Sequence, residues 1–434
     1  MPPPLQPRES VAGETQPRGN LILFLLTISV FINYIDRSNL SIAAPLIKDE
    51  LGISASQLGV LLSAFFWIYA FLQIPAGWLV DRFDVKFVFG AGFFLWSAAT
   101  AVTGVLHGFI ALLIVRVILG IGESVAFPSY CKILGGCFQE SRRGFANSMI
   151  MMGLALGPAL GMLLGGSAVS HFGWRPFFIV LGLVGLSWLV PWSIWMPRRS
   201  VSHKPTATEG AGFLPILRQR AFWGTCIGQS AINYFLYFLV TWLPFYLVRG
   251  RHFSLNAMAE LGGTVFLLSA ISSAVSGKLS DRWICAGASP SLVRKGFMVF
   301  GHVGFGIFLM LAALSSGRIF IAALALTGAF LGITICNSWA IPQTLAGPRM
   351  IGRWIGLENF VANVFGASAP VITGFLLDRT GSFFWPFVVT TAIAWIGALG
   401  WSFAVGPLNE IDWDRSSRET FPAAAFLSSQ STLP

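Results

Sequence analysis

Residues 77–82 of the chain read Gly-Trp-Leu-Val-Asp-Arg, and residues 277–282 read Gly-Lys-Leu-Ser-Asp-Arg. Each stretch ends a long apolar segment, and each of these segments is the second one in its half of the chain. The same motif at the same place in both halves indicates an internal duplication. Duplicated halves around a central site are typical of membrane transporters.

The composition indicates that most of the chain does not face water. Of 434 residues, 55% are hydrophobic and only 11% are charged, whereas soluble domains carry about 25% charged residues. Twelve apolar segments, each long enough to cross a bilayer as a helix, lie at roughly 21–46, 56–80, 87–106, 109–131, 145–170, 174–196, 222–248, 258–280, 295–316, 319–341, 352–377 and 383–405. The sequence therefore predicts an all-α polytopic membrane protein with twelve transmembrane helices in two pseudo-symmetric six-helix halves.

The longest polar interruption follows the sixth segment and predicts the domain organisation. The expected parts are a polar N-terminal tail (1–20), a first half (21–196), a linker (197–221), a second half (222–405) and a polar C-terminal tail (406–434). If the N-terminus is cytoplasmic, 20 of the 28 Lys and Arg residues lie on the cytoplasmic side and six on the opposite side. By the positive-inside rule, both termini are expected in the cytoplasm. The protein is expected in the cell membrane, the inner membrane in a bacterium, as a monomer.

The charged and reactive residues argue against other classes of protein. The net charge of +10 does not indicate a nucleic-acid site, because the basic residues sit at the ends of apolar segments. The five Cys and five His residues are scattered, without the spacing of a metal site or of a nucleophile with its base. We therefore expect neither an enzyme nor a metal site. A membrane sensor that binds its ligand without transporting it stays open as an alternative.

Two arginines, Arg37 and Arg116, lie inside apolar segments of the first half. A cation there costs about +2.5 to +3.5 kcal/mol on insertion scales and is usually functional. The planar guanidinium suits a carboxylate because it can donate two parallel hydrogen bonds. A structural ion pair with Asp36 or Glu123 is the alternative for either arginine. Arg116 and Glu123 are seven residues apart, so they share one face of their helix.

Several uncharged polar or aromatic residues on the apolar segments could contact a hydroxylated substrate. Tyr34 shares a helix face with Arg37, and Tyr69 with Gln73. The remaining candidates, in the second half, are Asn233, Tyr237, Trp339, Asn359 and Asn363. Hydrogen bonding between helices is the alternative role for each of them.

Four motifs together resemble a known family. The Gly-x-x-x-Asp-Arg turn, followed by Lys86, resembles the signature loop of the major facilitator superfamily, except that the usual second Gly is Asp84. Arg116-x-x-x-Gly120-Ile121-Gly122-Glu123 resembles the fourth-helix motif of the same superfamily. With Asn-Tyr-Ile-Asp-Arg at 33–37 and Trp-Leu-Pro-Phe-Tyr-Leu at 242–247, the chain resembles the anion:cation symporter family, over residues 20 to 405. That family includes bacterial galactonate, glucarate and hexuronate carriers, and sialin.

The resemblance implies a carrier that takes up a small organic anion, such as a hexonate or hexuronate, with protons by alternating access. It places the substrate carboxylate at Arg37, substrate oxygens near Tyr69, and proton binding at Glu123 and Asp36. We expect Glu123 to be the main coupling site, with Asp36 accessory and Arg116 a partner of the acidic residues. The proton gradient drives such carriers without a cofactor. The residues expected to form a gate between the halves are Gly77, Asp81, Arg82, Asp281 and Arg282.

One motif favours a different function on the same fold. Gly153-x-x-x-Gly157-Pro158-x-x-Gly161 in the fifth segment partly resembles a motif of drug-proton antiporters. Small residues spaced by four also let two helices pack closely, and this is the interpretation we favour. A drug antiporter that accepts cations would have little use for Arg37 in its site.

Overall fold

The structure is a computed structural model that describes residues 16–137, 140–197 and 213–413. Within these residues, twelve helices are long and apolar enough to cross a membrane. These helices, α1 to α12 in chain order, are Gly19–Leu51, Ala55–Val80, Val85–Thr103, Phe109–Leu134, Met149–Phe172, Trp174–Trp195, Arg220–Gly250, Leu255–Cys285, Pro290–Leu314, Gly317–Gly347, Met350–Thr380 and Phe384–Ala404. The prediction of an all-α fold with twelve membrane helices is confirmed. A spanning helix is the expected form for such segments, because it satisfies every backbone hydrogen bond internally.

The chain divides into two compact units. The first takes in the described residues of Met1–Ser202 together with Val240–Phe266, and the second those of His203–Leu239 together with Leu267–Pro434. The division therefore runs through α7 and α8. The linker predicted at 197–221 lies mostly outside the described residues, as do most of both predicted tails, so the predicted domain boundaries stay a prediction.

Glycines let the helices of the first unit pack closely. A side chain at Gly157 would place its Cβ 2.4 Å from Tyr34 Cβ, and one at Gly161 would lie 2.4 Å from Ser38 Oγ. Both distances are shorter than any van der Waals contact, so α1 and α5 approach as closely as glycine allows. The glycine motif of α5 therefore contacts α1 through the very helix face that presents Tyr34, as the packing interpretation predicts.

The duplication predicted from the sequence recurs in a pair of lysine contacts. Lys86, at the start of α3, donates to the carbonyl oxygens of Ser193 (2.8 Å) and Met196 at the end of α6. Lys295, near the start of α9, donates to the carbonyl oxygens of Ser402 and Gly406 at the end of α12, both at 3.1 Å. A cation is well placed at a helix C-terminus, where carbonyls lack helical partners. The third helix of each predicted half is thus tied to the last helix of that half in the same way.

The residues after α12 pack against the start of α11. Gly347, with φ of 61°, allows the sharp bend between α10 and α11. Beside this bend, Trp413 donates from Nε1 to the carbonyl of Ala346 at 2.9 Å, and its ring lies 6.3 Å from that of Trp354. The beginning of the predicted C-terminal tail is therefore part of the second unit.

Candidate functional site

Arg37 and Glu123 form an ion pair inside the first unit. Arg37 Nε, on α1, donates to Glu123 Oε2, on α4, at 3.0 Å. The Glu123 side chain is fully buried, and that of Arg37 is 12% exposed. The ion-pair alternative for Arg37 is thus realised with Glu123, and its residual exposure leaves the guanidinium accessible.

Aromatic rings surround the Arg37 guanidinium. Its central carbon lies 4.5 Å from the ring centroid of Tyr69, 4.7 Å from that of Tyr34 and 5.4 Å from that of Phe65. Such rings attract a cation through their negative faces. Tyr34 and Tyr69, both predicted site residues, are therefore brought to Arg37. The sequence analysis missed Phe65, although its spacing of four residues from Tyr69 could have revealed it. The predicted residue Gln73 is half-buried and lies one turn beyond Tyr69 on α2.

Asp36 belongs to a second buried network on the same helix. Its Oδ1 accepts hydrogen bonds from Asn39 Nδ2 at 3.0 Å and from Thr100 Oγ1 at 3.1 Å. Arg116, on α4, donates from a terminal nitrogen to Asn39 Oδ1 at 3.0 Å. Among the described residues neither Asp36 nor Arg116 forms an ion pair. The resemblance implied that Arg116 is a partner of the acidic residues, and in the structure Arg116 is linked to Asp36 through the Asn39 side chain. Sequence reasoning missed both Asn39 and Thr100.

One oxygen of the Glu123 carboxyl lacks a hydrogen-bond partner. Glu123 Oε1 and Asn33 Nδ2 are both buried and unpartnered. Asn33 lies next to Glu123, and an amide can donate to a carboxylate. Asn33 is therefore placed to donate to the Glu123 carboxyl after a small movement of either side chain.

Most of the predicted residues of the second half cluster in the second unit. On α11, Asn363 Oδ1 accepts from Tyr237 Oη and, at 3.4 Å, from Asn233 Nδ2, both on α7. Asn233 Oδ1 in turn accepts from Gln229 Nε2 at 3.4 Å, and Asn363 Nδ2 donates to the carbonyl of Asn359 at 2.8 Å. The structure thus joins α7 to α11 by side-chain amides, which is the interhelical role that the sequence left open.

The predicted gate residues and Trp339 are not drawn together within either unit. Arg82 is exposed, with its guanidinium 5.5 Å from the Trp78 ring, and Gly77 has open space around it. The Asp81 side chain lies outside the described part of the structure. In the second unit, Asp281 and Arg282 are exposed in the last turns of α8. Trp339, 36% exposed on α10, forms no side-chain hydrogen bond within 213–413.

These arrangements suit binding rather than bond chemistry. The ion pair can exchange a carboxylate for another one, and the amide cluster can hydrogen-bond hydroxyl groups. No group of three or more His, Cys, Asp or Glu side chains in 16–137, 140–197 or 213–413 could hold a metal ion.

Comparison with known proteins establishes the class of this protein. The sequence model of the Major Facilitator Superfamily matches residues 26–292. The fold matches that of a bacterial homolog of the human lysosomal transporter Spinster, with a TM-score of 0.77 and 19% identity over 90% of this chain and 97% of that one. It also matches the D-xylose-proton symporter, with a TM-score of 0.75 and 12% identity over 90% and 98% of the two chains. The chain is a multi-pass membrane transporter and belongs to the Major Facilitator Superfamily, as its motifs predict.

Relatives of higher identity narrow the comparison. A probable sulfoacetate transporter of Cupriavidus necator is 31% identical over 91% of this chain and 95% of its own. A probable L-galactonate transporter of Escherichia coli is 30% identical, over 89% and 90%. The hexuronate transporter of Bacillus subtilis is 31% identical, over 87% and 92%. These relatives are transporters rather than enzymes, and they are of the kind that the resemblance to the anion:cation symporter family implies.

Proposed function

We propose that this transporter takes up a small organic anion together with protons by alternating access. The substrate carboxylate binds Arg37, Glu123 carries the main coupling proton, and Asp36 is the accessory site. The proton gradient drives uptake without a cofactor. The carrier works as a monomer in the cell membrane, the inner membrane in a bacterium, with both termini in the cytoplasm.

The ion pair between Arg37 and Glu123 carries this proposal. A buried arginine needs a counter-charge, because an unpaired buried charge costs several kcal/mol. While Glu123 is ionised, it supplies that charge at 3.0 Å. Once Glu123 binds a proton, a substrate carboxylate can take its place beside Arg37. Proton binding and anion binding therefore favour each other, which is the requirement for symport.

The class of substrate follows from Arg37 and from the relatives. The names of three relatives specify sulfoacetate, L-galactonate and hexuronate, all of them small organic anions. Tyr34, Tyr69 and Gln73 could hydrogen-bond the hydroxyls of a hexonate or hexuronate. The cluster around Asn363, with Asn359 and Trp339 as further candidates, could do so from the second unit.

Substitution of Glu123 tests the coupling. Wild-type protein in proteoliposomes should accumulate at least one of three labelled probes, D-galacturonate, L-galactonate or sulfoacetate, when the outside is made acidic. Glu123→Gln should abolish this accumulation, because the amide cannot release a proton, while exchange of internal for external probe continues. The matched control is Glu50→Gln, since Glu50 pairs with Arg175 at a partly exposed position. Accumulation in Glu123→Gln equal to that of the control would refute the coupling role.

Substitution of Arg37 separates this proposal from its rivals. Arg37→Ala should remove thermal stabilisation by the probe that wild type accumulates. Efflux of lipophilic cations that is insensitive to Arg37→Ala would instead favour a drug-proton antiporter. Binding of an anion without any uptake or exchange would favour a sensor.

A further inference from the structure

The second unit contains a buried carboxyl of its own. Glu358 is 1% exposed on α11. It lies beside Thr225 on α7 and beside Trp354, one turn earlier on its own helix. The neighbouring Cys226 thiol also interacts electrostatically with the Glu358 carboxyl. Trp354 Nε1 donates to Thr225 Oγ1 at 3.2 Å, so these three side chains form one small buried group.

The Glu358 carboxyl has no cationic partner, Lys, Arg or His, in the part of the chain that the structure describes. Among the described residues, Cys226 on α7 is a titratable group that interacts with it, and Trp354 is its neighbour on α11. Beyond Trp354 lies the segment after α12, whose titratable groups are the acids Glu410 and Asp412. An unpaired carboxylate in such a place is costly, whereas a protonated carboxyl is not.

The hydrogen bonds nearby leave room for a proton. Thr225, Gln229, Asn233 and Tyr237 are spaced by four, so they line one face of α7. Glu358 Oε2 and Gln229 Oε1 are both buried acceptors without a partner. A proton on Glu358 would turn its carboxyl oxygen from an acceptor into a donor.

We propose that Glu358 is a further proton-binding site of the transport cycle, in addition to Glu123 and Asp36. This inference rests on the proposed function. The face of α7 that begins with Thr225, beside Glu358, continues through Gln229 to Asn233. Asn233 donates to Asn363 on α11, and both of these residues are candidates for substrate contact. A substrate that takes over the hydrogen bonds of these amides changes the donors available along this face. Release of the Glu358 proton is thereby linked to loading and unloading of substrate.

Two measurements test this role. Infrared difference spectra of the purified protein, recorded between acidic and alkaline pH, should show the carbonyl band of a protonated carboxyl that disappears in Glu358→Gln. Proton flux and probe flux should then be measured together in proteoliposomes, with the organic anion that wild type accumulates. The ratio of protons to anions should fall by one in Glu358→Gln. Cys226→Ala, which alters a neighbour of this buried group but keeps the acid, should leave the ratio unchanged.

Each outcome decides the matter. An unchanged ratio of protons to anions in Glu358→Gln would overturn the proposal, since the carboxyl would then be a permanently protonated structural group. Absence of the carbonyl band from the wild-type spectrum would overturn it as well. Should Glu358→Gln fail to fold, Glu358→Met, which fills the site with an apolar side chain, replaces it in both measurements. A wild type that moves none of the anions would refute the proposed function itself, whereas a coupled wild type with an unaltered Glu358→Gln variant refutes only this inference.

Discussion

Arg37 and Arg116 both lie within membrane helices, but their guanidinium groups have different surroundings. Arg37 has a carboxylate partner, aromatic rings and a small exposed surface. Arg116 is 4% exposed and reaches an acid only through the Asn39 amide. These surroundings fit an exchangeable role for Arg37 and a structural role for Arg116. Asn39 is then the residue on which the second network depends.

Substitution of Asn39 should destabilise the protein strongly. Asn39→Ala removes a donor from Asp36 and an acceptor from Arg116, and each buried group left unsatisfied costs about 1–3 kcal/mol. We expect a clear fall in the midpoint of thermal unfolding in detergent. The control is Ser41→Ala on the same helix, because the buried Ser41 hydroxyl donates to the carbonyl of Ser38 within α1. Equal unfolding midpoints for the two variants would contradict a central position of Asn39 in the network.

At the scale of elements, the contact between α1 and α5 places the aromatic neighbours of Arg37. Gly157 lies directly against Tyr34, one helical turn before Arg37. Even a methyl group at this position would push α1 away from α5. The geometry of the candidate site therefore depends on a residue that has no side chain of its own.

Gly157→Ala should weaken both stability and substrate binding. Overpacking of a tight contact costs about 1–3 kcal/mol, and the displacement of Tyr34 should raise the probe concentration needed for half-maximal uptake. Gly296→Ala on α9 is the matched control, because nothing lies within 4 Å of the added methyl there and alanine favours a helix. If Gly157→Ala behaves like Gly296→Ala in thermal unfolding and in uptake, the close contact is not needed.

The sequence predicted the helices better than it predicted which side chains pair between them. Helix number and the glycine contact follow from hydropathy and spacing, which depend only on neighbours along the chain. The pairing of Arg37 with Glu123 rather than with Asp36, one residue away, depends on how α1 and α4 are rotated about their axes. Hydropathy does not fix such rotation for helices that are apolar on nearly all sides. Thr100 was missed for the same reason, since it comes to Asp36 from a different helix, whereas Phe65 shares α2 with Tyr69 at a spacing of four.

At the scale of the whole molecule, residues from the second half of the sequence join the first compact unit. Arg249, at the end of α7, forms an ion pair with Asp49 at the end of α1. Ser170 Oγ, on α5, donates to Asn256 Oδ1, on α8, at 2.6 Å. Gly166 packs against Ala259 nearby. If transport proceeds by alternating access, these contacts at one end of the helices must break and re-form in every cycle.

A cross-link between positions 170 and 256 should therefore stop transport. In Ser170→Cys/Asn256→Cys, a mild oxidant should form a disulfide, because the hydrogen bond between these side chains shows that the two positions are neighbours, and small motions can bring the Cβ atoms to the distance of about 4 Å that a disulfide needs. Proton-driven uptake of the accumulated anion should be lost in the oxidised protein and return after reduction, because the bond keeps α5 and α8 together at this end. Each single cysteine variant, treated in the same way, controls for the native cysteines, two of which, Cys131 and Cys285, are exposed. Undiminished uptake by fully cross-linked protein would mean that this end stays closed throughout the cycle, and alternating access through it would have to be abandoned.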